Sequence, residues 1–370
     1  MQVSFREIIK DSFQWMVTVL FKTFNLKKWI AFTFIAIIAG YLSFNSNFNI
    51  PNNKTDNNAL QTCPSAGIIF QSLGLAEAEE SEEVISLGME QEPIEDMTEA
   101  KGLERFFDEP ADYIVVGIVG VILMIIMVLF IWLNSRFKFI FIEDIVKNDG
   151  SIKLPWANNA YIGNQLFLFN LFFTIAYLSI LGLIAFRGYV SWENTLGAFD
   201  VHGSVSKVII SIIPHILLFI ISTLVAAFIY FFVDNLVTPI MFKLKQAFMP
   251  SWVLASNLFK KNLGNFVAYY FITIGLGLGA AFATMLIAMV YLIAVVILGA
   301  LLVVLGAGIL SIIPLGLKVG VSFALGIFAV LIIMCAQFIM NMLLLPIPVF
   351  FRTLGLKFIA VLDKSYDVFK

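Results

Sequence analysis

Four polar side chains capable of chemistry lie inside long apolar runs: His215, Asn170, Gln337 and Asn341. An ionisable group at such depth in a bilayer costs about 2.5–3.5 kcal/mol on insertion scales, which makes His215 the first candidate for function. His215 follows Pro214 early in its run. It could relay a proton or contact a ligand; the plainer reading is a neutral imidazole bonded to a nearby carbonyl. Gln337 and Asn341 are four residues apart and so share one face of a helix. Amides in such places ordinarily join one helix to another, worth roughly 0.6 kcal/mol apiece, and Asn170 has the same plain reading. The sharper alternative is a polar path for a substrate.

Arg136 stands at the end of an apolar run beside Lys138, Glu143 and Asp144, with Asp234 at the corresponding end of a later run. Interfacial anchoring and ion pairing account for these charges in the ordinary case. The sharper expectation is a headgroup or anion site at the cytoplasmic side, with Arg136 as the donor. Gly275, Gly279 and Ala283 form a ridge of small residues suited to close helix packing.

Several chemistries have no residues to carry them. The chain has no P-loop, no G-x-S-x-G and no H-E-x-x-H. Its two histidines and two cysteines, Cys63 and Cys335, make no metal-ligand cluster. No catalytic residue, metal or cofactor is expected, and a membrane enzyme is the least favoured class. The basic residues follow span ends and form no compact basic domain, so nucleic acid is not an expected partner. Membrane lipids are, and so is a membrane protein partner.

The elements that must position these residues are spans. Hydrophobic residues make up 60% of the 370, charged residues only 13%, and mean hydropathy is +0.95, far from the soluble norm of about 25% charged. The pattern predicts an all-α, polytopic transmembrane helical bundle of about six spans: 29–44, 113–133, 165–186, 208–233, 266–297 and 319–345. Residues 1–28 read as an amphipathic interfacial helix, with Phe5, Ile8, Ile9, Phe13, Met16 and Leu20 on one side. A second basic, amphipathic stretch covers 234–265, with Ser251 as an N-cap and Gly264 as a stop. The 48 residues from Phe266 to Ile313 are too long for one crossing, so 298–318 is expected to be an apolar, re-entrant connection.

Charge orients the spans. Segment 45–112 holds 15 acidic and three basic residues, net −12, and predicts a solvated loop; its carboxylates lack the spacing of a calcium loop. Seventeen of the 23 Lys and Arg fall in 1–28, 134–164, 234–265 and 351–370. Six crossings place all four of these segments, and both termini, in the cytoplasm and the acidic loop outside. The expected location is a bacterial plasma (inner) membrane.

A weak repeat runs through this plan. Segments 5–28, 151–164 and 250–264 each lead into a pair of spans, and each pair returns to an interfacial junction. The junctions are Asn134-Ser135-Arg136-Phe137-Lys138-Phe139, Asp234-Asn235-Leu236-Val237-Thr238-Pro239 and Leu345-Pro346-Ile347-Pro348-Val349-Phe350. At these junctions, and at Leu20-Phe21-Lys22-Thr23-Phe24-Asn25-Leu26-Lys27-Lys28-Trp29, the chain resembles an uncharacterised family of bacterial six-span membrane proteins. That family is distantly similar to the membrane domain preceding some glycerophosphodiester phosphodiesterases. The resemblance implies a membrane domain without an attached hydrolase, and it implies no activity.

The near-absence of charge within spans points first to a non-enzymatic scaffold or accessory subunit. The alternative is a transporter or lipid-handling protein. A polar cavity lined by Asn170, His215, Gln337 or Asn341 would favour the alternative; a solid apolar bundle would favour the scaffold.

Overall fold

Apolar runs of this length leave the backbone no partner but itself in a hydrocarbon, and a helix satisfies its N–H and C=O groups segment by segment. A computed structural model describes residues 4–22, 24–42, 110–197 and 205–369. The acidic segment up to residue 109, with Cys63, lies outside the described residues, as do Asp200 and His202. The described secondary structure is helical throughout. Five of the helices are long and apolar enough to cross a membrane.

The helices run in the order α1 (Phe5–Val17), α2 (Leu26–Ile38), α3 (Pro110–Lys147), α4 (Lys153–Asn158), α5 (Ala160–Gly197) and α6 (Val205–Phe232). They continue with α7 (Thr238–Leu244), α8 (Phe248–Lys261), α9 (Leu263–Ile312), α10 (Leu315–Leu344) and α11 (Pro346–Leu362). Single π turns follow α1, at Thr18–Lys22, and α6, at Val233–Val237. The chain divides into two units, residues 1–45 with 122–370 and residues 46–121. Of the second, 110–121 is described and is the helical start of α3.

In the first unit the buried residues come from the short helices and the span ends. One cluster joins Phe139, Ile162, Leu236, Ile240, Tyr269 and Phe358; the other joins Leu20, Phe32, Ile35, Phe141 and Val349. Aromatic rings fill both, among them Tyr269 stacked on Phe358 with centroids 4.1 Å apart. The apolar lengths of α6, α9 and α10 that lead away from these clusters are exposed, as Leu217, Val303 and Phe323 show. Side chains with no protein neighbour and no polar atoms present a surface compatible with lipid.

Sets of three helices begin at α1, α4 and α8; the second and third run short, long, long, and the first has two short helices before a long one. In the first set, α2 has 13 residues, about 20 Å, so it falls short of roughly 30 Å of hydrocarbon.

The structure departs from the sequence-based plan in four places. Residues 298–312 continue α9, which is one helix of 50 residues. Its glycines, Gly299, Gly306 and Gly308, do not break it, because no solvent competes for backbone bonds in an apolar setting. The chain turns where a proline forces it: Pro314 restricts Ile313 to extended backbone (φ −85°, ψ 139°), and Leu317 N–H bonds to the Pro314 carbonyl to start α10. Ser251 lies within α8, its hydroxyl bonded to the Ala247 carbonyl, and Ala247 holds the N-cap position. The stop after α8 is Asn262, while Gly264 belongs to α9. In α1, Ile8 and Met16 pack within the protein whereas Phe13 is exposed, so the single apolar side read from the sequence is divided.

Candidate functional site

Three junctions where long helices enter the buried core bring charge together. Lys138 lies on α3, four residues past Asn134. Asp234 lies in the π turn after α6, and Arg352 on α11 just past Pro346 and Pro348. Local backbone irregularity sets the last two. The π turn displaces the ordinary carbonyl pairing, and Thr238 Oγ1 and Asn235 Nδ2 take up two of the freed carbonyls, of Val233 and Phe231. A third, that of Asp234, accepts from Arg352 Nη1. Pro346 and Pro348, lacking N–H groups, mark the join of α10 to α11.

The three charges form one cluster. Lys138 Nζ is 2.9 Å from Asp234 Oδ1, and Arg352 Nη1 is 3.4 Å from Oδ2. The side chain of Arg352 is only 3% exposed. Tyr41, just past α2, places its hydroxyl 3.3 Å from Asp234 Oδ2, and its ring is approached by both cations at about 6 Å. With two cations against one carboxylate, the cluster carries one net positive charge.

Beside it Asn235 accepts a hydrogen bond from Tyr269 on α9 at 3.0 Å. Gly355 makes this contact fit: a Cβ there would stand 2.9 Å from Asn235 Oδ1 and 3.3 Å from the Tyr269 hydroxyl.

A cavity of about 630 Å³ opens against the cluster. Tyr41, Asp234, Asn235 and Arg352 line one part, and Thr273, Thr284, Gln337 and Asn341 bring polar groups from α9 and α10. Phe231, Met340, Leu344 and Phe351 supply an apolar wall. A mostly apolar cleft with a few convergent polar groups is the usual form of a small-molecule site. Asn341 is 2% exposed, and its Nδ2 has no hydrogen-bond acceptor among the described residues; the same holds for Arg352 Nε and Nη2.

Of the sequence-based candidates, the cavity gathers Gln337 and Asn341. Gln337 Oε1 is 3.4 Å from the Tyr291 hydroxyl. Arg136 is elsewhere, its guanidinium against the rings of Trp132 and Trp156, 4.6 and 4.8 Å from their centroids. Its Nε and Nη2 both donate to Asn164 Oδ1, at 3.1 and 3.0 Å. Asn170 donates to Ser135 Oγ at 2.9 Å, which joins α5 to α3. His215 Nδ1 lies 3.1 Å from the Ser211 carbonyl one turn back, with Gly188 of α5 facing the ring.

Arg352 and Tyr41 were not among those candidates, and Asp234 and Lys138 were read as edge charges. The signal was present in the junctions, since each of the three contributes one charge, at Lys138, Asp234 and just past Phe350 at Arg352. A second buried network lies away from the cavity, where Glu143 accepts from Asn159 Nδ2 and Lys147, and Lys245 Nζ donates to Asn159 Oδ1 at 2.6 Å. Burial holds Lys245 below the ordinary lysine value, against the pull of Glu143.

No curated protein and no solved structure matches the chain. The profile of DUF7544, a family of unknown function, matches residues 6–369. The match covers nearly the whole chain, which therefore belongs to that family.

Proposed function

We propose that this protein is a lipid-handling or transport protein, and not an enzyme, whose working site is the cavity beside Asp234 and Arg352. The observation that carries the reading is that cavity: a chain nearly free of charge in its apolar helices brings residues from the ends of α2 and α6 and from α9, α10 and α11 to one pocket with a charged cluster at its side. A scaffold with a solid apolar bundle has no use for such a cluster, and burying it costs several kcal/mol per ion before pairing is counted.

Position supports a role with lipid. From Ile114 to Asn134 on α3 and from Ile210 to Asp234 on α6 the helices rise about 30 and 36 Å at about 1.5 Å per residue. That matches the roughly 30 Å of a bilayer's hydrocarbon. The Asp234 end of the cavity then falls where acyl chains give way to headgroups, on the side where the basic residues concentrate. The proposal makes that side cytoplasmic, in a bacterial plasma membrane, with α2 completing six crossings and α1 and α8 in the interface. The distant resemblance to the membrane domain ahead of some glycerophosphodiester phosphodiesterases is carried into this reading at the level of fold alone.

Native mass spectrometry of the protein extracted in nanodiscs tests the reading. The expected result is a retained lipid or small molecule that is lost from Ala288→Trp, a variant that fills the cavity. Retention of a protein partner with no small ligand would replace this reading with an accessory-subunit role.

A further inference from the structure

Arg352 presents two kinds of edge. Its Nη1 is engaged, donating to the Asp234 carbonyl and lying 3.4 Å from the Asp234 carboxylate. Its Nε and Nη2 form the opposite edge, where two N–H bonds point the same way, and that edge is buried without an acceptor among the described residues. Parallel N–H bonds on a guanidinium match two oxygens of one oxoanion. Arg136 shows the contrast, because the same edge of its guanidinium is capped by Asn164 Oδ1.

Asn341 Nδ2 is the third unmatched donor on the same cavity. A buried N–H group left without an acceptor is costly, because it has given up its water without replacement. All three are donors, on two residues that line one cavity. The surrounding charge agrees, since Lys138 and Arg352 outweigh Asp234 by one.

We infer that the cavity takes a phosphate group, gripped by the Nε/Nη2 edge of Arg352 and by Asn341 Nδ2. This rests on the cavity being the ligand site. A phosphate monoester or inorganic phosphate presents three free oxygens in a tetrahedron to these donors, one more than a carboxylate, and carries more negative charge toward the net positive cluster. The apolar wall of Phe231, Met340, Leu344 and Phe351 suits an attached acyl chain or glycerol backbone. Asp234 does not compete for the anion's place, because its carboxylate is already held by Lys138, Arg352 and Tyr41.

Full-length protein stripped of lipid in a neutral detergent is offered, separately, phosphatidic acid, diacylglycerol, oleate and inorganic phosphate, and retention is read by native mass spectrometry. Phosphatidic acid should be retained at least about tenfold more than diacylglycerol or oleate, as a charge-assisted bidentate contact requires. Arg352→Lys and Asn341→Asp should each remove most of that preference. Asn341→Asp keeps the side-chain shape and adds a negative charge, so it tests the anion even if the lysine variant folds poorly. Retention of inorganic phosphate without phosphatidic acid supports the phosphate site and makes its source soluble. Equal retention of oleate, or unchanged preference in Asn341→Asp, overturns the phosphate assignment. Where oleate or another molecule is retained and Ala288→Trp releases it, the cavity reading stands and the phosphate alone falls. No release of any molecule by Ala288→Trp overturns both.

Discussion

At the scale of single residues, Asp234 holds the site together more than it confronts a ligand. It ties Lys138 of α3 and Arg352 of α11 to the turn after α6, so Asp234→Asn leaves two cations without their counter-ion. Removing one partner of a buried pair costs about 3 kcal/mol or more, and thermal unfolding in detergent should show a loss of that order. Arg352→Met with Asp234→Leu together should lose less than the two single variants added, because the pair goes as a unit. Lys245 supplies a pH-dependent expectation. Its burial lowers the folded-state value, so the folded protein binds fewer protons than the unfolded chain through the window from that lowered value up to about 10.4. Stability relative to Lys245→Met should therefore rise as pH climbs through that window, and remain level below it. A flat difference across the window would mean that Lys245 is not desolvated in the fold.

At the scale of elements, glycines separate into those that carry a contact and those that do not. Gly355 lets α11 approach Asn235 and Tyr269, whereas a Cβ at Gly264 would meet nothing within 4 Å. Gly355→Ala should cost about 1–3 kcal/mol through overpacking. Gly264→Ala should gain a few tenths to about 1 kcal/mol from helix propensity. Opposite signs in chemical denaturation would establish the close approach. Elements also show what the sequence could and could not disclose. The apolar runs of α3, α5 and α6 were legible because length and hydropathy alone specify them. The α9–α10 turn was misplaced because the apolar run exceeds one crossing of ordinary hydrocarbon, so its last part resembled a separate connection, whereas the helix runs on and the chain turns at Pro314. The cluster was only half legible. Lys138, Asp234 and Arg352 are 96 and 118 residues apart along the chain, and no local pattern says that three span ends meet. Gln337 and Asn341 could be found because a polar side chain in an apolar run is conspicuous by itself, whereas Arg352 looked like one more basic residue after a final span.

At the scale of the whole molecule, the three sets of helices predict an even number of crossings, provided that α2 counts as one. Single cysteines at Ser4, Ser81 and Ser365, in a background lacking Cys63 and Cys335, test this with a membrane-impermeant thiol reagent on intact cells. Ser81→Cys should label, while Ser4→Cys and Ser365→Cys should label only after permeabilisation. Labelling of one terminus and not the other would make the number odd and remove α2 from the count.

The length of α9 has a consequence for the bilayer itself. Between Thr284, at the cavity, and Ile312, at the turn, the helix rises about 42 Å, and its outward side chains, such as Met285, Val290 and Val304, are exposed apolar groups. Ordinary hydrocarbon is about 30 Å thick. The α9–α10 hairpin must then lean steeply, or the lipid around it must stretch, at a cost of fractions of a kcal/mol per Å of hydrophobic mismatch. The protein should accordingly prefer long acyl chains and thick membranes. Reconstitution across a series of acyl lengths should raise its unfolding temperature toward the longer lipids. Within a mixed membrane it would collect the longest lipids around the hairpin that borders its own polar cavity.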